Sequence, residues 1–339
     1  MTTARRGVLT GGTWCVDYNR SVSHWPGEDG LAELLEEERH GGGSGCNLAL
    51  DIKRLDPAMP VETITLVGDD DDGRYLQALA EEAGIDVRQM AVSNRAATQF
   101  CDAYVSLQSH RRTHIFHAGV GAYLTPDHFD FTATHARFLH LGLPGVHKTL
   151  DAPWHDLPNG WVAVLTKARA AGLKTNLELA SVDRDLMAQL TAPCLPHLDF
   201  LVVNDMEIGA IAGMETIRDD RTDREACERA AHIALERGAM QVVAVHCPAF
   251  AIAVSRHGKT VTLPSVAIPR EEVLGANGAG DAFAAGMLYG LHEDWAVEDC
   301  LALAHAAAAA SLRSISTTGS VVSWQECLAL ARQWGYRPL

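Results

Sequence analysis

The sequence predicts an α/β protein: one domain over 1–339, built on a doubly wound, mainly parallel sheet with a small β-sheet lid. Three observations carry that expectation. Strand-like apolar runs alternate with helical patterns along most of the chain, as parallel strands joined by crossover helices do. Two stretches, 13–40 and 95–118, interrupt the alternation and read as β-rich excursions that together form the lid. No linker, internal repeat or low-complexity tract divides the chain.

In chain order, 6–12 reads as a strand, 47–55 as a helix and 63–68 as a strand. Residues 73–84 form a helix ending at Gly84, and 136–142 a strand. A helix at 161–172 precedes a strand at 173–179. A strand at 199–204 leads into another helix, then come a helix at 224–238 and a strand at 240–245. Phe283, Met287 and Leu291 recur at helical spacing, and 300–312 is an alanine-rich buried helix.

The 339 residues, 47% apolar, suffice for a sizeable core. The net charge of −15 repels nucleic acid and anionic lipid, so neither is an expected partner. It also repels ATP, so a nucleotide site must be made locally positive by backbone N–H groups, a few arginines and a metal ion. Eight cysteines are scattered singly, without a Cys-x-x-Cys pair, and read as reduced thiols of a cytoplasmic protein. The first residues carry no apolar run of a signal peptide, and 300–312 is too short to span a membrane.

The most pointed stretch is "EEVLGANGAGDAFAAGMLYGL", 271–291. Gly275, Gly278 and Gly280 lie in the six residues before Asp281. A glycine-rich turn that opens a helix presents free N–H groups at the positive end of the helix dipole, an anion site. A carboxylate in its first turn either complements the dipole or acts as a base. In the second reading the N–H groups of Gly278, Ala279 and Gly280 hold a phosphoryl group in flight, and Asp281 takes the proton of the attacking hydroxyl. No Gly-Lys-Ser/Thr follows and no Gly-x-Gly-x-x-Gly fits, which leaves little to a nucleotide-binding oxidoreductase.

"GANGAGDAFAAG" resembles the Asp-Thr-x-Gly-Ala-Gly-Asp signature of ribokinase-like (PfkB) carbohydrate kinases. Further features follow in family order over nearly the whole chain. "GGGSGCN" (41–47) is similar to the family's Gly-Gly-x-x-x-Asn. The resemblance implies that Gly42, Gly43 and Asn47 meet sugar hydroxyls; by itself Asn47 also fits a helix cap. Asp17, at the end of the first strand, would bind two substrate hydroxyls. "VGDDDDGRYL" (67–76) matches a turn whose carboxylates cap a helix. "VVNDMEIGAIAG" (202–213) is similar to Asn-x-x-Glu: Asn204 and Glu207 fit a helix capping box. In the family's terms Asn204 lies in the nucleotide site and Glu207 holds water on Mg²⁺. His305 would line the adenine pocket.

The departures are equally specific. Gly275 and Ala276 stand where the signature has Asp and Thr, which argues against potassium activation. "HCPAF" (246–250) replaces a Thr-x-Gly turn at the phosphates, and 119–122 read Gly-Val-Gly-Ala where relatives read Gly-Ala-Asn. His110, His114 and His117 do not share one strand face, which argues against a zinc site. The resemblance implies an ATP- and Mg²⁺-dependent kinase acting on a hydroxymethyl group of a sugar or sugar derivative. A nucleoside acceptor and a non-catalytic sugar- or nucleotide-binding regulator are the alternatives. Lids in this family occur free or paired, so a homodimer through the lid is open. The surroundings of Asp17, His24 and Trp25 select the acceptor.

Overall fold

The structure is a computed structural model that describes residues 5–109, 111–314 and 316–339. The chain begins with β1 (Val8–Gly12), leaves the main sheet for β2 (Cys15–Val22) and β3 (Leu34–Gly42), and returns through α1 (Ser44–Leu55) to β4 (Val61–Gly68). Next come α2 (Asp71–Glu82), β5 (Asp86–Ser93), β6 (Phe100–Ser106) and β7 (Arg112–His117). The middle comprises β8 (Phe138–Gly142), α3 (Lys148–Asp151), α4 (Gly160–Ala170), β9 (Lys174–Leu177), α5 (Arg184–Thr191), β10 (Phe200–Asn204) and α6 (Asp205–Ala212). A two-stranded ribbon, β11 (Ile217–Arg218) and β12 (Arg221–Thr222), precedes α7 (Arg224–Arg237). The last part holds β13 (Val242–His246), β14 (Phe250–Ser255), β15 (Thr260–Pro264), α8 (Ala279–His292), α9 (Val297–Ser311) and α10 (Trp324–Trp334).

Nine strands form the main sheet in the order β15-β14-β13-β10-β9-β8-β1-β4-β5. The run from β13 to β5 is parallel, and β14 and β15 close one edge antiparallel. Both faces are buried. Phe200 and Val202 of β10 point into the core shared with α1, α8 and α9, while Leu201 and Val203 face α4, α6 and α7. A strand covered on both sides reads as an unbroken apolar run, which is why these strands were legible as such.

The antiparallel edge was not expected. The segment between β14 and β15 is too short for a crossover helix, so the chain turns back on itself. β5, α5 and α10 were not expected either. The expected turn at 246–250 narrows, because His246 ends β13 and Phe250 begins β14.

A separate four-stranded sheet has the order β3-β2-β6-β7, with β2 and β6 parallel and the other pairs antiparallel. One face rests on α2: the Tyr18 hydroxyl donates to Asp72 at 2.8 Å, and the Arg39 guanidinium lies 4.0 Å from the Tyr75 ring centre. Asp17, one residue away in β2, points to the opposite face. Two expectations are corrected. Asp17 does not end the first strand but lies inside β2, because Thr13 N–H is drawn to the Gly142 carbonyl and the chain leaves the main sheet there. Asn47 is not a helix cap: α1 starts earlier, with Gly43 at its N-cap, so Asn47 faces inward from the first turn.

The "DDDD" run caps as expected: Asp70 accepts from Gly73 N–H at 2.8 Å and from Thr98 N–H at 2.7 Å. All eight cysteines are free thiols, seven of them buried. Among the described residues, no helix is long and apolar enough to cross a membrane.

Candidate active site

The start of α8 is set by backbone geometry. Gly278 is the N-cap with φ of 71° and no side-chain cap. A Cβ there would also lie 2.1 Å from the Thr317 carbonyl oxygen, so only glycine fits. The first-turn N–H groups that follow have no intrahelical acceptor. The N–H groups of Gly278, Ala279 and Gly280 therefore lie at the open start of α8, with the Asp281 carboxylate on the same turn.

Asp281 is tied to α1. Asn47 Nδ2 donates to Asp281 Oδ2 at 3.0 Å, while Asn47 Oδ1 accepts from Thr317 Oγ1 at 3.0 Å. The two hydrogen bonds fix the amide's orientation. Asp281 also hydrogen-bonds Glu178, which follows β9 at the carboxyl end of the sheet. Behind Glu178 lies fully buried His140, with Nε2 2.9 Å from Glu178 Oε2. The approach is close but off the hydrogen-bond direction, so neither atom gains a hydrogen-bond partner among the described residues.

These acids perturb one another. Burial, then the Glu178 charge, pushes the Asp281 carboxyl well above the carboxylate range, and the Asn47 hydrogen bond works against that. Burial pushes Glu178 and Glu207 up to about 7. Burial lowers His140 to about 4, so it is neutral at pH 7.

Toward the small sheet, Asp17 packs against the β3–α1 turn. A Cβ at Gly42 would sit 2.2 Å from the Asp17 carboxylate, so the missing side chain is what admits Asp17. Gly42 and Gly43 thus lead directly from Asp17 to α1 and Asn47.

On the other side of α8's first turn lies a cavity of about 640 Å³ lined by Asn204, Arg270, Phe283, His305 and Arg337, among others. Asn204 and Glu207 form a reciprocal capping box, each side chain accepting the other's N–H at 2.9 Å. His305 Nε2 lies 3.2 Å from the Leu263 carbonyl, and its ring meets Phe283 edge-on. His246 also lines the cavity. Its ring is 4.7 Å from that of Phe283, and its Cε1 is 3.6 Å from where a Cβ on Gly280 would be. Pro248 lines the cavity too, its carbonyl accepting from Arg337 Nη1 at 3.2 Å. Arg270 and Arg337 supply the local positive charge that so acidic a chain needs, and the sequence reading missed both. It also missed Glu178, His140 and Thr317. No local pattern marks any of them, since each meets the site only through tertiary contacts.

His110 lies outside the described residues. His114 and His117 occupy opposite faces of β7, as expected. No cluster of three or more His, Cys, Asp or Glu suited to a metal occurs among the described residues.

One helix start thus brings together a buried carboxylate, free backbone N–H groups and a cavity of about 640 Å³. The chain belongs to the pfkB family of carbohydrate kinases, whose family model matches residues 8–324. It is 25% identical to adenosine kinase of Saccharomyces cerevisiae over 85% of this chain and 82% of that one. It is 23% identical to 5-dehydro-2-deoxygluconokinase of Shouchella clausii over 96% and 95%. Among solved structures, Arabidopsis thaliana ribokinase complexed with ribose and ATP superposes with a TM-score of 0.75 at 18% identity, covering 97% of this chain and 99% of that one. The fold is ribokinase-like, and as a member of this carbohydrate kinase family the chain is a phosphotransferase with an alcohol acceptor.

Proposed function

We propose that this kinase phosphorylates a hydroxymethyl group of a sugar or sugar derivative from ATP and Mg²⁺. The observation that carries the reading is the placement of Asp281 in the first turn of α8, beside the free 278–280 N–H groups and pinned by Asn47. Asp281 takes the proton of the acceptor hydroxyl, and the N–H groups stabilise the transferring phosphoryl oxygens. Asp17, Gly42, Gly43 and Asn47 form the acceptor pocket. Asn204, His305 and the cavity beyond them hold the nucleotide, with Arg270 and Arg337 offsetting its charge.

The donor set fits Mg²⁺ held through water. Glu207 commits Oε2 to the capping box and retains a second oxygen, one turn of α6 beyond Asn204, which lines the cavity. Mg²⁺ supplies neutralisation of phosphate charge. The small sheet, within 13–40 and 95–118 apart from the last two residues of β3, acts as a lid over one domain spanning the chain. Closure excludes water, which would otherwise compete as acceptor. The lid exposes Leu34, Leu35, Ile115 and Phe116, which favours a homodimer paired through it. Light scattering at several concentrations tests the dimer.

The resemblance to adenosine kinase supports a nucleoside as the second acceptor class. A non-catalytic regulator is disfavoured by the intact base and anion hole. An ADP-release assay over sugars, sugar acids, sugar phosphates and nucleosides decides. Turnover on the sugar-derived acceptors supports the reading, turnover on nucleosides alone moves it to the second class, and binding without turnover on any acceptor overturns it.

A further inference from the structure

One wall of the 640 Å³ cavity comes from beyond residues 8–324, the part that the family model matches. Gly335 caps α10 with a φ of 73°, a backbone conformation that favours glycine. The chain then pairs antiparallel with the segment after β15. Ala267 N–H donates to the Gly335 carbonyl and Arg337 N–H to the Ser265 carbonyl, both at 2.9 Å, with Val266 opposite Tyr336. Ser265 is itself held to the turn after β13, its N–H donating to the Ala249 carbonyl at 2.9 Å. This register carries Arg337 to the cavity rim, where Nη1 donates to the Pro248 carbonyl at 3.2 Å. The turn that receives it is poor in donors. Cys247 N–H is committed to the Phe250 carbonyl at 2.9 Å, and Pro248 has no N–H.

We propose that Arg337 holds the phosphates of the nucleotide, in place of the N–H groups that the turn after β13 does not offer. Three observations carry this. First, the guanidinium spends one N–H on the Pro248 carbonyl, which orients it, and keeps the others. Second, it is uncommitted in charge. Among the described residues neither Arg337 nor Arg270 forms an ion pair, in a chain whose net charge of −15 offers acids in excess. Among those residues Asp205 alone brings a carboxylate to the cavity lining, and its oxygens accept from Met206 N–H and the Thr222 hydroxyl. Third, Phe283, His305 and Leu312 make part of the lining flat or apolar, which suits a base and leaves the guanidinium to the anionic part of the ligand. A planar fork matches phosphate oxygens two at a time, which a lysine at the same place would not do. The proposal rests on the reading of this cavity as the nucleotide site.

The test is calorimetry of adenosine, ADP and ATP binding, with Mg²⁺ present and no acceptor, to the wild-type chain and to Arg337→Ala, Arg337→Lys and Arg332→Ala. Arg332 is exposed on α10, outside the cavity lining, so its loss controls for the change in net charge. Losing a hydrogen bond between charged groups, Arg337→Ala should weaken ADP and ATP by about 10-fold and leave adenosine within about twofold. Arg337→Lys should recover part of the loss, because it keeps the charge without the fork. The loss should shrink as salt is raised, since the side chain is exposed at the rim. Arg332→Ala should bind all three ligands as the wild type does. Equal weakening of adenosine would show that Arg337 shapes the wall without meeting phosphate, and overturns the proposal. So does unchanged ATP binding in Arg337→Ala, or an equal loss in Arg332→Ala. A wild-type chain that binds none of the three overturns the nucleotide reading of the cavity and this proposal with it, whereas one that binds ATP as tightly as Arg337→Ala does overturns the proposal alone.

Discussion

Asn47 has both ends of its amide committed, one to the base and one to Thr317. Its loss should therefore affect turnover as well as acceptor binding. A hydrogen bond to a charged group contributes about 1.5–3 kcal/mol, so Asn47→Ala should lower kcat/KM for the acceptor by roughly 10- to 100-fold. The part of that loss appearing in kcat measures how far Asn47 acts through Asp281. Asp17 is seated against Gly42, at the end of β3 rather than on α1. For Asp17→Ala the loss should fall on acceptor KM, with nucleotide KM unchanged; steady-state kinetics with each substrate varied separates the two residues. Asp281→Asn keeps the size of the side chain and removes the proton acceptor, which should cost about 10²–10⁴ in kcat. Near wild-type turnover there would take Asp281 out of the mechanism. Asp281 was legible in the sequence because base and anion hole share one turn, so their chemistry sits in adjacent letters. Glu178 and His140 were not, because they reach the base from separate strands whose order in the sheet no local pattern encodes.

At the scale of elements, glycine sets where the small sheet meets the main one. The proposed acceptor pocket depends on β3 and β2 lying so close that Asp17 occupies the space of a side chain at 42. Gly42→Ala should push Asp17 out of place and raise acceptor KM, with nucleotide KM and thermal stability nearly unchanged. A drop in nucleotide affinity of similar size would mean that the lid and the nucleotide cavity are one mechanical unit. The parallel core strands were legible because burial on both faces makes their sequences uniformly apolar. The β14–β15 hairpin was passed over because an apolar run such as β14 is buried whichever way it pairs, and only the shortness of the connection to β15 reveals its direction. Inside α1 lies an acid with no visible function: Asp51 is fully buried, and neither carboxylate oxygen has a hydrogen-bond partner among the described residues. Burial, then the charge of Asp281, raises it well above its ordinary value of 3.8. A group held up in this way contributes stability that is full below its unfolded-state value and is lost as pH rises through the folded one. Asp51→Asn should therefore flatten the alkaline decline of the melting temperature relative to wild type. Parallel curves for the two proteins would show that Asp51 finds a partner in solution.

Over the whole molecule, the charge budget and the site point the same way. The net charge is −15. Burial lowers His140, His246 and His305 to about 4, so none of them offsets the site acids at neutral pH. Arg270 and Arg337 line the cavity, while the turn after β13 contributes Pro248, which has no N–H to give a phosphate. Gly275 and Ala276 carry no side-chain oxygen to organise a monovalent cation. A nucleotide polyanion entering this cavity therefore leans on the 278–280 N–H groups and on a divalent ion. Turnover should be strictly Mg²⁺-dependent, Glu207→Gln should raise the Mg²⁺ concentration needed for half-maximal rate, and potassium should activate weakly. Titrations of rate against Mg²⁺ and against K⁺ at constant ionic strength check all three, because the constant ionic strength removes general screening of the chain's negative field. The Leu274 and Gly275 N–H groups both bond the Leu312 carbonyl, so this loop is tied by its backbone to the end of α9. Strong potassium activation would show that backbone carbonyls suffice to hold the ion without the missing carboxylate. A rate independent of Mg²⁺ would remove Glu207 from the nucleotide site and leave the two arginines to carry the phosphate charge.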